Sequence, residues 1–215
     1  MHRRARRLAR ALLSTGARSR ETAVHAALHP AVVEAARRFA APAIGLVDVG
    51  SPHGPALLVD RVGITYDNGQ FLGDPSSSLQ LTASVVGGRP LPDRPMPEVV
   101  ARLGPDRDPL HVADAVDRVP SDALPVVTTT WALSRVPVER RHRFLALLHD
   151  AAATRPVAWV SVEGVGVAPG VPTLGDRPAS GHSIVGLTLS DGSASHAEAL
   201  GRCWSRGRWV SWLAG

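Results

Sequence analysis

Asp48, Gly50, Ser51 and Gly54 fall within seven residues of one another, inside the stretch GLVDVGSPHGPALLVDR at positions 45–61. An apolar run ends in an acid and is followed by two glycines four apart, the way a strand turns under a nucleotide-like ligand. Glycine lets the chain turn sharply and approach a ligand with no Cβ in the way. The middle of this turn is unusual: Pro52 removes a backbone donor, Pro55 removes another just past Gly54, and His53 is bulky. A plain structural turn needs the same glycines, so the spacing alone is a weak signal. Ser51 follows the first glycine directly instead of standing centrally as in a nucleophile elbow. Asp48, Ser51 and His53 are also too close in sequence to imply a triad, which argues against a hydrolase.

Other residues with chemical potential are scattered. Thr128, Thr129, Thr130 and Trp131 end an apolar run, and Thr130 and Trp131 are candidates to line a substrate pocket; equally, threonines suit a strand and Trp131 suits a core. Glu163 ends the next run and is a candidate general base, although a strand-end acid is more often simply solvated. His25 and His29, four apart, fit one helix face as metal ligands, but no third ligand is spaced to join them, so no metal is expected. Trp204, Trp209 and Trp212 suit core packing better than ligand stacking.

The elements that must position these residues follow from hydrophobic patterning. Residues 22–40 read as helical on both sides of Pro30, which is expected to open a new helix. Residues 43–49 form a short continuous apolar run, the mark of a strand buried on both faces. A brief helix at 55–59 precedes the strand VGITYDNGQ, whose Asn68-Gly69 pair is a strong hairpin signal, and SSSLQLTASVVGG offers the returning strand. VVARL reads as a strand, PLHVADAVD as another, LPVVTTTWAL and PVAWVSVEG as buried strands, and a helix starts at Pro137 between the last two. Residues 164–181 are a loop, and strands around Asp191-Gly192 and at 209–212 end the chain. Buried strands alternating with helices, then an antiparallel end, predict an α/β fold. Its expected form is an open, mostly parallel Rossmann-like sheet of the class I methyltransferase type. A helical segment over 1–42 precedes this 43–215 domain.

In such sheets ligands bind beyond the carboxyl ends of the strands. The loop at 50–54 would then lie under the amino-acid end of S-adenosylmethionine, with Asp48 nearby. Asp106 or Asp108 is placed for the ribose hydroxyls and Asp114 for the adenine.

The chain has 215 residues and a formal charge of +5, with 24 arginines and no lysine. The basic character sits at one end: residues 1–20 carry seven arginines and no acid, leaving seventeen arginines against nineteen acids elsewhere. That end reads as an amphipathic helix with Leu8, Leu12 and Leu13 on its apolar side, ahead of a basic arm or a targeting segment. Nucleic-acid binding is therefore not expected. No apolar run reaches the roughly 18 residues of a membrane span, and no signal-peptide core is visible. The lone Cys203 excludes an intramolecular disulfide and suits a reducing cytoplasm.

The runs LLSTGARSRETAVHAALHPAVVEAARRFAAPAIGLVDVGSPHGPALLVDR, ARLGPDRDPLHVAD, VVTTTWALSRVPVERRHRFLALL, PVAWVSVEG and GRWVSWL, spread over residues 10–213, resemble the largely actinobacterial family called domain of unknown function 2332. The resemblance implies a methyltransferase-type Rossmann fold with a helical N-terminal region. The family's loop is usually of glycine-alanine-serine-alanine-glycine type, where this chain has Gly50-Ser51-Pro52-His53-Gly54. The family's long N-terminal helical region is nearly absent, and so is a tryptophan-containing segment between Pro109 and Leu110. Were VVARL and LHVAD both parallel core strands, the six residues GPDRDP could not connect them, since a parallel crossover takes a dozen or more. The expectation is a pared-down sheet lacking one strand or crossover helix.

Two functional readings follow. In the first, the chain is methyltransferase-like and binds S-adenosylmethionine or S-adenosylhomocysteine, acting on an unidentified small-molecule or protein partner. Methyl transfer mostly requires the acceptor to be held in line, so few diagnostic residues would show. In the second, it is a non-catalytic relative of the same fold kept for interaction, or without function.

Overall fold

The computed structural model describes residues 23–50, 54–104 and 108–215. The arginine-rich start, Ser51, Pro52, His53 and Asp106 lie outside the described residues.

One open, mostly parallel ten-stranded sheet organises the chain. The strands are β1 (Ala43–Val49), β2 (Gly63–Tyr66), β3 (Phe71–Gly73), β4 (Gln80–Val85), β5 (Glu98–Leu103), β6 (Leu124–Thr130), β7 (Val157–Gly164), β8 (Ser183–Ser190), β9 (Ser195–Trp204) and β10 (Trp209–Trp212), in the spatial order β3-β2-β4-β10-β9-β8-β7-β6-β1-β5. β5, β1, β6 and β7 are parallel neighbours, while β7, β8, β9 and β10 form an antiparallel meander. The helices are α1 (His25–Arg38), α2 (Val112–Asp117) and α3 (Val138–Ala152).

Three expectations about the strands are corrected. PLHVADAVD is not a strand: Pro109–His111 is a 3-10 turn and α2 follows, because Val112, Ala115, Val116 and Val119 recur at helical spacing and all four are buried. α2 then lies in the crossover from β5 to β6, so GPDRDP does not have to join two parallel strands by itself. The sheet is also wider than a pared-down one, because β2–β4 and the C-terminal meander join it; β3 and β5 are its edge strands. Finally, the strand that returns from Asn68-Gly69 is the three-residue β3, while β4 pairs with β2 in parallel.

Strand alternation gives the sheet two cores. Ile44, Leu46, Val126, Ala158, Val160 and Val162 pack on the first face with α1; Val47, Val49, Val127, Val157 and Trp159 pack on the second with α2 and α3. On the second face, Phe144 of α3 meets Trp159 edge-on at a centroid distance of 5.2 Å. α1 is buried continuously from His25 to Ala36. It touches β6, β7 and β8 and also β3 and β4. Seven strand spacings separate β3 from β6, about 33 Å in a flat sheet, so the sheet must curl around the helix to touch it at both ends.

Pro30 does not open a new helix; α1 runs through it. Proline lacks the N–H that would bond the carbonyl four residues back, here that of Ala26. The buried Tyr66 hydroxyl from β2 donates to that carbonyl at 2.8 Å. The expected result for Tyr66→Phe is a loss of about 1–2 kcal/mol, the cost of leaving a buried acceptor unpaired. In a Pro30→Ala background the helix N–H returns and the loss should shrink; equal losses by urea denaturation in both backgrounds would refute this pairing.

Candidate functional site

Strand directions bring the chemistry-bearing residues to one edge. β1, β6 and β7 run in parallel, β8 runs against them, and β9 runs with them again. Gly50 follows β1, Trp131 follows β6, Glu163 closes β7, Ser183 starts β8 and Arg206 follows β9. All therefore lie at the carboxyl edge of β1, β6, β7 and β9. Within the parallel group β1, β5, β6 and β7, β5 lies on one side of β1 and β6 on the other, so this edge contains the strand-order reversal where open α/β sheets form their ligand crevice.

Gly50 has φ +102°, and a Cβ placed there would sit 2.6 Å from the Cβ of Ala132. The glycine is thus required by its conformation and by the close approach of the turn after β6. Gly54 has an extended backbone (φ −66°, ψ 155°) that any residue could adopt. After it comes a 3-10 segment, Pro55–Arg61, kinked at Leu58, in place of an α-helix.

Asp48 alternates onto the first face and is 2% exposed. Its Oδ1 accepts from the Thr128 hydroxyl at 3.0 Å, across the registered pair Asp48 and Thr128. Burial pushes its carboxyl up to about 7, against the opposing pull of that hydrogen bond. Glu163 is not a solvated strand-end acid: it is 1% exposed. Its Oε1 accepts the backbone N–H groups of Ala132 and Leu133 at 3.0 and 3.1 Å, fastening the turn that follows β6. Oε2 has no partner among the described residues, and burial pushes this carboxyl up to about 7 as well. The sequence showed the acid but not the turn folding back onto it.

Trp131 carries the clearest local strain. Its φ is +51°, an outlier for a bulky residue. It is held by its own N–H donating to Val162 O at 3.0 Å and by its indole Nε1 donating to Ser183 Oγ at 2.8 Å. The Arg206 guanidinium lies 5.8 Å from its ring centroid, and Arg206 also has positive φ, at 61°. Neither Ser183 nor Arg206 stood out in the sequence; the only hint was the glycine after Arg206. That Gly207 abuts Ala23 and Val24 at the start of α1.

The remaining candidates are dispersed. Thr130 is half-buried beside Trp131. Asp108 pairs with Arg140 at 2.7 Å and caps Leu110 N. Asp114 is exposed in the first turn of α2, which packs on the second face, opposite Asp48. His25 and His29 are buried in α1. His25 Nε2 bonds Pro55 O at 2.8 Å, while both ring nitrogens of His29 lack partners among the described residues. No three metal-type side chains gather among the described residues. Trp204 stacks obliquely on His182, Trp212 is buried, and Trp209 is 53% exposed. Two surface grooves, of about 310 and 560 Å³, lie on the β2–β4 half of the sheet, one along Asp60, Leu72 and Asp74, the other along Thr65, Ser84 and Trp209.

The family described as an uncharacterized protein conserved in bacteria, domain of unknown function 2332, matches residues 1–119 and 111–212. The chain belongs to this family. The two matched segments meet at the crossover between β5 and β6, where α2 lies. No curated protein and no solved structure matches the chain. No helix among the described residues is long and apolar enough to cross a membrane.

Proposed function

We propose that this family member is a methyltransferase-like protein that binds S-adenosylmethionine at the carboxyl edge of β1 and β6. The observation that carries the reading is Trp131. A tryptophan held at positive φ costs about 1–3 kcal/mol, and such strain is retained chiefly where a site needs it. It stands beside the Gly50 turn, at the strand-order reversal, with its half-buried ring and Thr130 next to it. In this reading the turn after β1 holds the amino-acid end of the ligand, Asp48 stabilises that turn from beneath through Thr128, and Thr130 and Trp131 border the acceptor. S-adenosylmethionine, when bound, supplies the transferable methyl group; the protein's contribution is to hold two molecules in line.

Two observations favour the second reading, a non-catalytic relative kept for interaction. The 3-10 segment Pro55–Arg61 presents no regular helix N-terminus after the turn, and Asp48 is engaged by Thr128 rather than facing outward.

Calorimetric titration with S-adenosylmethionine and S-adenosylhomocysteine separates the two. Micromolar binding that weakens tenfold or more in Trp131→Ala supports the first reading. Failure of a demonstrably folded protein to bind either compound leaves the second.

A further inference from the structure

Arg206 is the least explained residue of this edge. Its backbone is in the left-handed region (φ 61°, ψ 38°), a conformation that glycine adopts freely and arginine does not. The following Gly207, at φ +97°, is wedged against Ala23 and Val24, so the turn is locked from the α1 side. The side chain is exposed, and its guanidinium lies 5.8 Å from the centroid of the Trp131 ring. Among the described residues it makes no hydrogen bond and no ion pair. Four residues earlier, Arg202 shows what an arginine with a structural role looks like here: its Nε lies 2.5 Å from Asp176, which also holds His182. Trp131 in turn is oriented by Ser183 and is itself strained. Two residues with strained backbones, in the turns after β6 and β9, thus bring a guanidinium to 5.8 Å from an indole centroid, with its N–H donors unspent among the described residues.

We infer that the Arg206–Trp131 pair is an anion-recognition site, and that the small molecule handled at this edge carries a carboxylate or a phosphate. The inference rests on the proposed ligand site and names the chemistry of the acceptor side. A guanidinium presents parallel N–H donors that match two oxygens of either group, and charge-assisted pairs of this kind are about twice as strong as neutral ones. The cation–π contact with Trp131 holds the guanidinium at this edge without using any of its donors.

The test is a nuclear magnetic resonance titration of the full chain with benzoate, phenyl phosphate and neutral benzyl alcohol, following the Trp131 indole and Arg206 Nε–H signals. The expected result is that an anion shifts both signals and benzyl alcohol neither. Affinity should fall tenfold or more in Arg206→Ala and less in Arg206→Lys, which keeps the charge but not the fork. The tighter of benzoate and phenyl phosphate identifies the anion. Arg206→Gly relieves the backbone strain and should raise Tm by about 2–4 °C while abolishing anion binding. Anions that bind Arg206→Ala as well as they bind the natural chain, no response to either anion, or a less stable Arg206→Gly would each overturn the proposal. S-adenosylhomocysteine titrated in parallel keeps the two ideas apart. Anion binding without it upholds Arg206 and removes the cofactor reading; the converse removes Arg206 and leaves the cofactor.

Discussion

Gly50→Ala is expected to destabilise the fold by about 2–5 kcal/mol. Two separate costs add: an L side chain at φ +102°, of order 1–3 kcal/mol, and a Cβ driven to within 2.6 Å of the Ala132 Cβ, an overpacking of similar size. Ala132→Gly removes the second cost but not the first. The double variant Gly50→Ala/Ala132→Gly should therefore recover about half of the lost stability, read as a shift in the urea midpoint. No recovery would mean that the turns after β1 and β6 do not touch as described. The pair also matters for function, because a single substitution at Gly50 confounds folding with ligand contact. If the double variant is folded and has lost S-adenosylhomocysteine binding, the turn itself contacts ligand. If binding survives, Gly50 serves the packing of two strand ends.

The second large effect is in the dependence of stability on pH. Asp48 and Glu163 are pushed up to about 7 by burial, so the native state holds protons that the unfolded chain releases above about pH 4. Their contribution is fully present below that pH and is lost as pH rises towards 7. His25 and His29 are lowered to about 3 and about 4, again by burial, with the His29 charge lowering His25 further and Asp60 partly offsetting the effect at His29. The unfolded histidines take up protons below about pH 6.5 while the buried ones stay neutral, so their contribution is present above that pH and lost as pH falls towards 4. Between about pH 4.5 and 6.5 the two pairs have opposite signs and nearly cancel, and the natural chain should show a flat profile there. Removing one side tilts it. Asp48→Asn should make stability rise with pH across this window, by an amount of the order of a few kcal/mol. His29→Leu should make it fall, and should also stabilise the protein near neutral pH by removing two buried nitrogens that have no partner among the described residues. Urea denaturation of the three proteins at half-unit pH steps is the measurement; profiles of unchanged slope in both variants would contradict the burial assigned to these side chains.

Particular residues show how far local pattern reaches. The apolar runs at 43–49, 124–130 and 157–164 became β1, β6 and β7 because a strand buried on both faces has an unbroken hydrophobic sequence whatever its neighbours are. Asn68-Gly69 makes its hairpin and Pro137 starts α3 for equally local reasons, φ > 0 at the turn and a fixed φ at the helix entry. Gly50 was legible as a turn glycine, but its partner Ala132 was not. PLHVADAVD misled because a short apolar segment fits either period, and the choice was made by the second core, into which Val112, Ala115 and Val116 pack together. Glu163 looked solvated because nothing in its own strand announces that the turn after β6 will fold over it.

The sequence by itself determined the α/β class, the central parallel strands, the membership of domain of unknown function 2332 and the glycine turn with its acid. Those depend on residue type and short-range spacing. Only the tertiary structure decided that Tyr66 satisfies the carbonyl left free by Pro30, that Asp48 and Glu163 are buried, and that Arg206 lies over Trp131. Each of these joins residues 30 to 80 positions apart, through strand order and the curl of the sheet around α1. Strand order is set by how whole faces bury one another, which no stretch of the chain encodes alone.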